Sequence, residues 1–232
     1  SNANLLSGEL ATHLTGRYHQ IELMPFSFQE YCQSKEVNNS SYTTKAIALR
    51  DKALNDYLFA GGFPELLSLS EAEQGDYVRS LVRTIVEKYI AKRYKLRYAQ
   101  TLMDVANQVL DEFSQEHSFA MEQKKHNLKS PNTAKKYLQY LQNAYLVLAL
   151  PRFSLKSSER RSVHKYYAID PAMIAKRDEA LLTDSLGLRL ENVVAVELRR
   201  RAAIDEQIYY FRKVREYEVD FVRVKGTQVQ EL

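Results

Sequence analysis

The chain has 232 residues, 45% of them hydrophobic and 27% charged, a globular composition with length for one large domain or two to three small ones. No stretch approaches the ~20 uninterrupted apolar residues of a membrane-spanning helix, and no basic stretch followed by an apolar run opens the chain as a secretory leader would. Net charge is only +4, yet Gln123 to Ala168 holds ten Lys or Arg and one acid, Glu159, so about nine positive charges there face about −5 elsewhere.

That asymmetry predicts a surface for polyanions, against the plainer reading of a solvated basic loop. The one cysteine, Cys32, cannot close an internal disulfide, which fits a reducing cytoplasm; it reads as a half-buried thiol rather than a nucleophile. Ser1, Asn2 and Ala3 read as the remnant of a removed expression tag.

In chain order, Leu5, Leu6, Leu10, Ala11 and Leu14 have helical spacing, closed by Gly16 and Arg17. Tyr18 to Met24 alternates as a half-buried strand, ended by Pro25. Ser27 caps a short helix through Tyr31, and Tyr42 to Ala60 reads as another, broken by Gly61, Gly62, Phe63 and Pro64. A long helix is expected from Glu71 to about Tyr98, with Tyr77, Leu81, Ile85 and Tyr89 on one face and Val78, Val82 and Val86 beside it. A further helix to Phe113 turns Leu102, Val105, Ala106, Val109 and Leu110 inward, and Ser118 to His126 forms a short one. Ser130 and Pro131 open the next, as an N-cap followed by proline at the first helical position. Its buried side is Ala134, Tyr137, Leu138, Leu141, Ala144 and Tyr145; Asn132, Lys135, Lys136, Gln139, Gln142 and Asn143 face outward. Strands follow at Leu146 to Phe153 and His164 to Ile169, then helices from Pro171 and over Leu186 to Arg201. The end alternates as strands over Ile208 to Phe211 and Glu218 to Val224, with a turn at Gly226 and another strand from Gln228.

None of the seven glycines is followed by lysine, so the nucleotide-binding G-x-x-x-x-G-K-[ST] loop is absent from these residues. There is no G-x-S-x-G elbow, no H-E-x-x-H and no paired C-x-x-C, and the five scattered histidines read as surface or packing residues.

Three helices (about 100–113, 118–126 and 131–145) followed by a basic hairpin over 146–169 have the order of a winged helix-turn-helix. In that arrangement the third helix lies in a major groove and the hairpin touches the backbone. Asn132, Lys135, Lys136 and Gln139 are the groove-facing candidates; Lys156, Arg160, Arg161 and Lys165 are the candidate phosphate contacts of the wing. Winged helices also serve as protein-binding or lid elements. A second basic cluster, Arg83, Lys88, Lys92, Arg93, Lys95 and Arg97, is interleaved with Tyr89, Tyr94 and Tyr98. It has the make-up of a single-strand binding surface, but the tyrosines read first as core residues with surface hydroxyls. Glu191 on a helix and Asp220 on a strand are a weak pair of candidate Mg²⁺ carboxylates for phosphodiester cleavage; a salt bridge from Asp220 to Arg199 or Arg200 would serve equally.

The run Leu5 to Arg17, followed by Ile21, Glu22, Leu23, Met24, Pro25, Phe26, Ser27 and Phe28, resembles a family of predicted prokaryotic AAA-type ATPases. So do the Gly61-Gly62-Phe63-Pro64-Glu65 turn, Lys165 to Asp170, Leu190 to Val194, and Glu218 to Val222. The matches run through nearly the whole chain in the family's order. The resemblance implies an ATPase core with its phosphate loop, Mg²⁺-binding acid and sensor strand upstream of Asn4, then helical and winged-helix parts, then a region like a PD-(D/E)XK nuclease. It implies that Arg17, Gly62 and Pro64 lie near the nucleotide. Two departures stand out: Tyr89 where the family often has an acid, and a last nuclease-like strand cut at Gln230, Glu231 and Leu232.

The expected fold is α+β and mostly helical, in three parts: the end of the ATPase core and its helical lid over 1–97, a winged helix over 98–170, and a truncated nuclease-like α/β tail over 171–232. The expected function is DNA or RNA binding through the winged helix, as the C-terminal part of a cytoplasmic ATPase. These residues would hydrolyse no ATP and hold no cofactor themselves, ATP and Mg²⁺ belonging to the whole protein. Expected partners are DNA and the missing N-terminal core, with oligomerisation open and no membrane. The alternatives are a protein-interaction switch and a Mg²⁺-dependent nuclease using Glu191 and Asp220.

Overall fold

The computed structural model describes residues 21–37, 41–154, 156, 162–176, 185–213 and 217–231. The expected helix before Gly16, with Arg17, lies outside them, as do Arg160 and Arg161. Residues 21–24 pair with no strand among the described residues, and Ile21 (71%) and Leu23 (89%) are exposed. Alternation alone does not make a strand, because the backbone groups still require a neighbour.

The helices start where capping chemistry places them. Ser27 and Glu30 form a reciprocal capping box ahead of α1 (Phe28–Ser34). Helix α2 (Thr44–Ala60) runs into Gly61, and a 3₁₀ turn (Pro64–Ser68) leads to α3 (Glu71–Thr84), boxed by Ser70 and Glu73. The long helix expected next changes character: Ile85–Ala91 is a π-helix, a wider turn with one extra residue. Its deepest stripe is Val78, Val82, Val86 and Ile90, while Tyr89 is exposed.

The winged helix follows. Helix α4 (Ala99–Asp111) leads to β1 (Gln115–Ser118), α5 (Phe119–Lys125), α6 (Pro131–Asn143), β2 (Val147–Pro151) and β3 (Val163–Ala168). The three strands form an antiparallel sheet in the order β1-β3-β2, the topology of a winged helix-turn-helix. Strand β1 carries no alternating apolar signal; its pairing with β3 makes it a strand. A short α7 (Ala172–Ala175) and α8 (Leu186–Arg201) then lead into a second antiparallel sheet of β4 (Glu206–Lys213), β5 (Tyr217–Lys225) and β6 (Gln228–Glu231), in sequence order. The whole is α+β and mostly helical. No helix among the described residues is long and apolar enough to cross a membrane.

One apolar core crosses the boundary expected at 97/98. Val78, Val82, Val86 and Ile90 pack with Leu102, Val105, Val109, Leu110, Leu138, Leu141 and Tyr166 in a single cluster. A smaller core, with Leu150, Tyr167, Ala195, Ile208, Tyr210 and Phe221, joins the winged-helix sheet to α8 and the second sheet. There the backbone N–H of Phe153 donates to the Tyr210 carbonyl at 2.6 Å.

Asp170, just beyond β3, ties the Gly61-Gly62 turn to this frame. It accepts from the N–H of Gly62 at 2.7 Å and of Ala172 at 2.8 Å. Gly61 is held at φ +75°, and a Cβ there would lie 1.9 Å from Asp170 Oδ1. Gly61→Ala is therefore expected to destabilise the protein by at least ~2 kcal/mol in urea unfolding. Burial lifts the Asp170 carboxyl from 3.8 to about 7, although the N–H groups of Ala172 and Gly62 oppose the rise. Between those values the folded protein keeps a proton that the unfolded chain has released. This contribution to stability is therefore full below about pH 4 and declines as pH rises toward about 7. Asp170→Asn is expected to flatten that part of the stability–pH curve.

Candidate nucleic-acid interface and the carboxylate cluster behind it

Helix α6 is positioned by its two faces. Ser130 Oγ accepts the Thr133 N–H at 3.2 Å, with Pro131 at the first turn. Ala134, Leu138 and Leu141 are buried against the core. Opposite them, Asn132, Lys135, Lys136 and Gln139 are all exposed, and the helix has no acidic residue. Lys124, Lys125 and Lys129 are exposed just upstream, although Lys125 is paired with Glu112 at 2.9 Å. The structure thus brings the four expected groove-facing residues onto one open face, where the partial positive charge of the helix N-terminus adds to the lysines. The His164 imidazole, on neighbouring β3, is pushed below its ordinary value by burial and then by the Lys135 charge.

The wing differs from expectation. Lys156 is exposed, with Arg160 and Arg161 outside the described residues. Lys165 is not a surface phosphate contact: it is 4% exposed and points toward the second sheet. Its Nζ lies 2.9 Å from Glu191 Oε1 and 3.2 Å from Asp220 Oδ1, and it pairs with Glu218 as well. Strand alternation is the reason. Lys165 and Tyr167 share one face of β3, the face that α8, β4 and β5 cover, while His164 and Tyr166 face the other way.

The two candidate carboxylates, distant in sequence, therefore meet on one ammonium. Burial opposes the charge on Lys165, but hydrogen bonds to Glu218 and Glu191 carry its pKa above the usual value. Glu191 is raised by burial, against the pull of Lys165 and of the Tyr167 hydroxyl, which donates to it at 2.9 Å. Asp220 pairs with Lys165 rather than with Arg199 or Arg200, as was equally open from sequence. Helix α8 is anchored on either side of Glu191. Asn192 Oδ1 accepts the Ala168 N–H at 2.8 Å, its Nδ2 donates to the Ala168 carbonyl, and Arg189 donates to the Leu58 carbonyl. Among the described residues no group of three or more His, Cys, Asp or Glu is arranged to hold a metal ion.

Glu218, Tyr167, Asn192 and Arg189 were not singled out from sequence. Two of them carried a signal, since a spacing of two places Glu218 with Asp220 on one face of β5 and Tyr167 with Lys165 on one face of β3.

The nucleotide-proximal candidates fare unevenly. Gly62 is buried, its N–H is committed to Asp170, and a Cβ there would lie 2.2 Å from the Phe26 carbonyl oxygen. The turn is thus closed by protein on that side. Pro64 is exposed and open to a neighbour.

The fold and site define a winged-helix α+β protein with a basic, solvent-facing third helix. The chain belongs to the family described as "Domain of unknown function (DUF8612)", whose model matches residues 51–184, from within α2 through the winged helix. It is similar to "Uncharacterized protein MJ1544" of Methanocaldococcus jannaschii, with 31% identity over 228 residues, 96% of this chain and 51% of that protein. It is also similar to an uncharacterized protein of Haemophilus influenzae, with 30% identity over 242 residues, 99% of this chain and 56% of that protein. The chain thus spans about half the length of the curated relatives it matches. No solved structure matches.

Removing Lys165 should expose the cost of the cluster. Lys165→Met is expected to destabilise the protein by about 3 kcal/mol in urea unfolding, because three carboxylates lose their shared cation. Adding Glu191→Gln should recover part of that loss.

Proposed function

We propose that this chain is the nucleic-acid-binding part of a larger cytoplasmic AAA-type ATPase, and that it engages duplex DNA through α6. One observation carries the reading: the open face of the third helix of a winged-helix topology presents Asn132, Lys135, Lys136 and Gln139 together, with no acid on the helix. Amide side chains are suited to base edges and lysines to phosphates. ATP and Mg²⁺ would be bound by residues of the longer protein, with Pro64 rather than Gly62 available at their edge. Nucleotide-driven switching would then act on the winged helix through the shared core.

Fluorescence anisotropy of a labelled duplex at rising salt tests this. Binding is expected to weaken with a log–log slope of about −0.9 per phosphate contacted. Lys135→Ala with Lys136→Ala should lower low-salt affinity at least ~10-fold and reduce the slope by up to about 2. Absence of wild-type binding at low salt, or a slope near zero, would overturn the proposal. Those results would favour a protein-interaction switch, whose partner docking the same substitutions should spare.

A second reading rests on the convergence of Glu191 and Asp220 on Lys165: a Mg²⁺-dependent nuclease in the longer protein. The donors that complete a metal site would then come from outside the described residues. Cleavage of DNA by the longer protein should be abolished by Asp220→Ala, and cleavage that survives it excludes the reading.

A further inference from the structure

The second basic cluster has no part in the winged-helix topology, yet the fold places it beside α6. The π-helix buries Val86, Ile90 and Ala91 in the common core. Its wide hydrogen bonding continues past its end, from the N–H of Lys92 to the Glu87 carbonyl and from that of Leu96 to the Ala91 carbonyl. Tyr94 then lies flat on Tyr140 of α6, with ring centroids 3.7 Å apart and planes 13° from parallel. At about 100° per residue, Tyr140 sits roughly 40° around the helix from Lys136. The exit of the π-helix is therefore clamped along the border of the face that carries Lys136 and Gln139.

The tyrosine reading favoured from sequence thus holds for Tyr94, and that packing aims the charges around it. Lys88, Lys92, Lys95 and Arg97 are all exposed, and none forms an ion pair among the described residues. Lys95 takes a positive φ of 49°, which turns the chain sharply between Tyr94 and Arg97. The Arg97 guanidinium lies 5.4 Å from the ring of Tyr98, itself 59% exposed. Glu87 is the one acid between residues 85 and 98.

We propose that Lys88, Lys92, Lys95 and Arg97 form a second phosphate-backbone contact, which extends the α6 interface so that the protein covers more duplex than its winged helix alone. This rests on the reading of α6 as a nucleic-acid surface. Continuity with α6 favours a duplex over an acidic peptide: a polyanion with regularly spaced charges along its length can follow both strips at once. The π-helix shapes the strip, since a regular helix of the same sequence would rotate Lys92 and Tyr94 away from their present directions.

The test compares labelled duplexes of about one and about three helical turns, titrated from about 50 to 200 mM salt. The variant replaces Lys88, Lys92, Lys95 and Arg97 together by Gln, which removes charge and keeps the length of the side chains. On the long duplex the variant should lose about 3 units of salt slope and at least ~10-fold in low-salt affinity. On the short duplex it should match wild type. Wild-type binding with no change in the variant on the long duplex would overturn this inference and leave the α6 reading standing. Equal losses on both duplexes would also overturn it, because the strip would then belong to the same short footprint. If wild type binds neither duplex, both readings fall. Lys88→Glu with Lys92→Glu, two exposed sites outside the common core, guards against a folding defect and should show the same length dependence.

Discussion

A lysine folded into a protein interior keeps its charge only where carboxylates meet it, and Lys165 imposes that condition on the whole C-terminal half. Its strand, β3, is the centre of the winged-helix sheet, with β1 on one edge and β2 on the other. One side of β3 supplies Tyr166 to the main core and the other supplies Tyr167 to the smaller one. Glu191 from α8 and Glu218 and Asp220 from β5 must come to Lys165, so the second sheet docks in one register. Asp170, two residues past the strand, imposes a similar condition on the Gly61-Gly62 turn.

This arrangement divides the basic segment into two kinds of charge. Lys165 is committed inward, and its energy is spent on assembly. Lys135 and Lys136 remain outside, on a helix whose other face is fully apolar. A net charge of +4 therefore understates the field over α6, because acids that lower it are drawn inward, Glu191, Glu218 and Asp220 to Lys165 and Glu122 to His117, while Glu112 neutralises only Lys125. Such sorting strengthens the attraction of an exposed surface for an anion without adding a single basic residue.

Much of the fold was legible because the signals are local. Ser27 and Ser130 mark helix starts through hydrogen bonds within four residues, Pro131 through its fixed φ, and Leu102, Val105, Val109 and Leu110 mark a buried stripe by spacing alone. Strand β1 was not legible, since Gln115, Glu116, His117 and Ser118 become a strand only through pairing with β3. Nor was the π-helix, because Ile85 to Ala91 reads as an ordinary amphipathic continuation of α3 and its widening is decided by packing. Of the strand expected over Tyr18 to Met24, residues 18–20 lie outside the described residues, and 21–24 have no strand beside them among the described residues.

For the candidate site the division is the same. Helical period is enough to say which residues could face a groove, because Asn132, Lys135, Lys136 and Gln139 lie opposite an apolar stripe. The sequence also determined that Lys165 and Tyr167 share one side of a strand. Which side of that strand is covered depends on the packing of α8 and the second sheet, and this makes Lys165 the partner of Glu191 and Asp220 instead of the expected wing contact. The reason is that a period of two assigns neighbours to opposite faces but contains no information about what packs on either one.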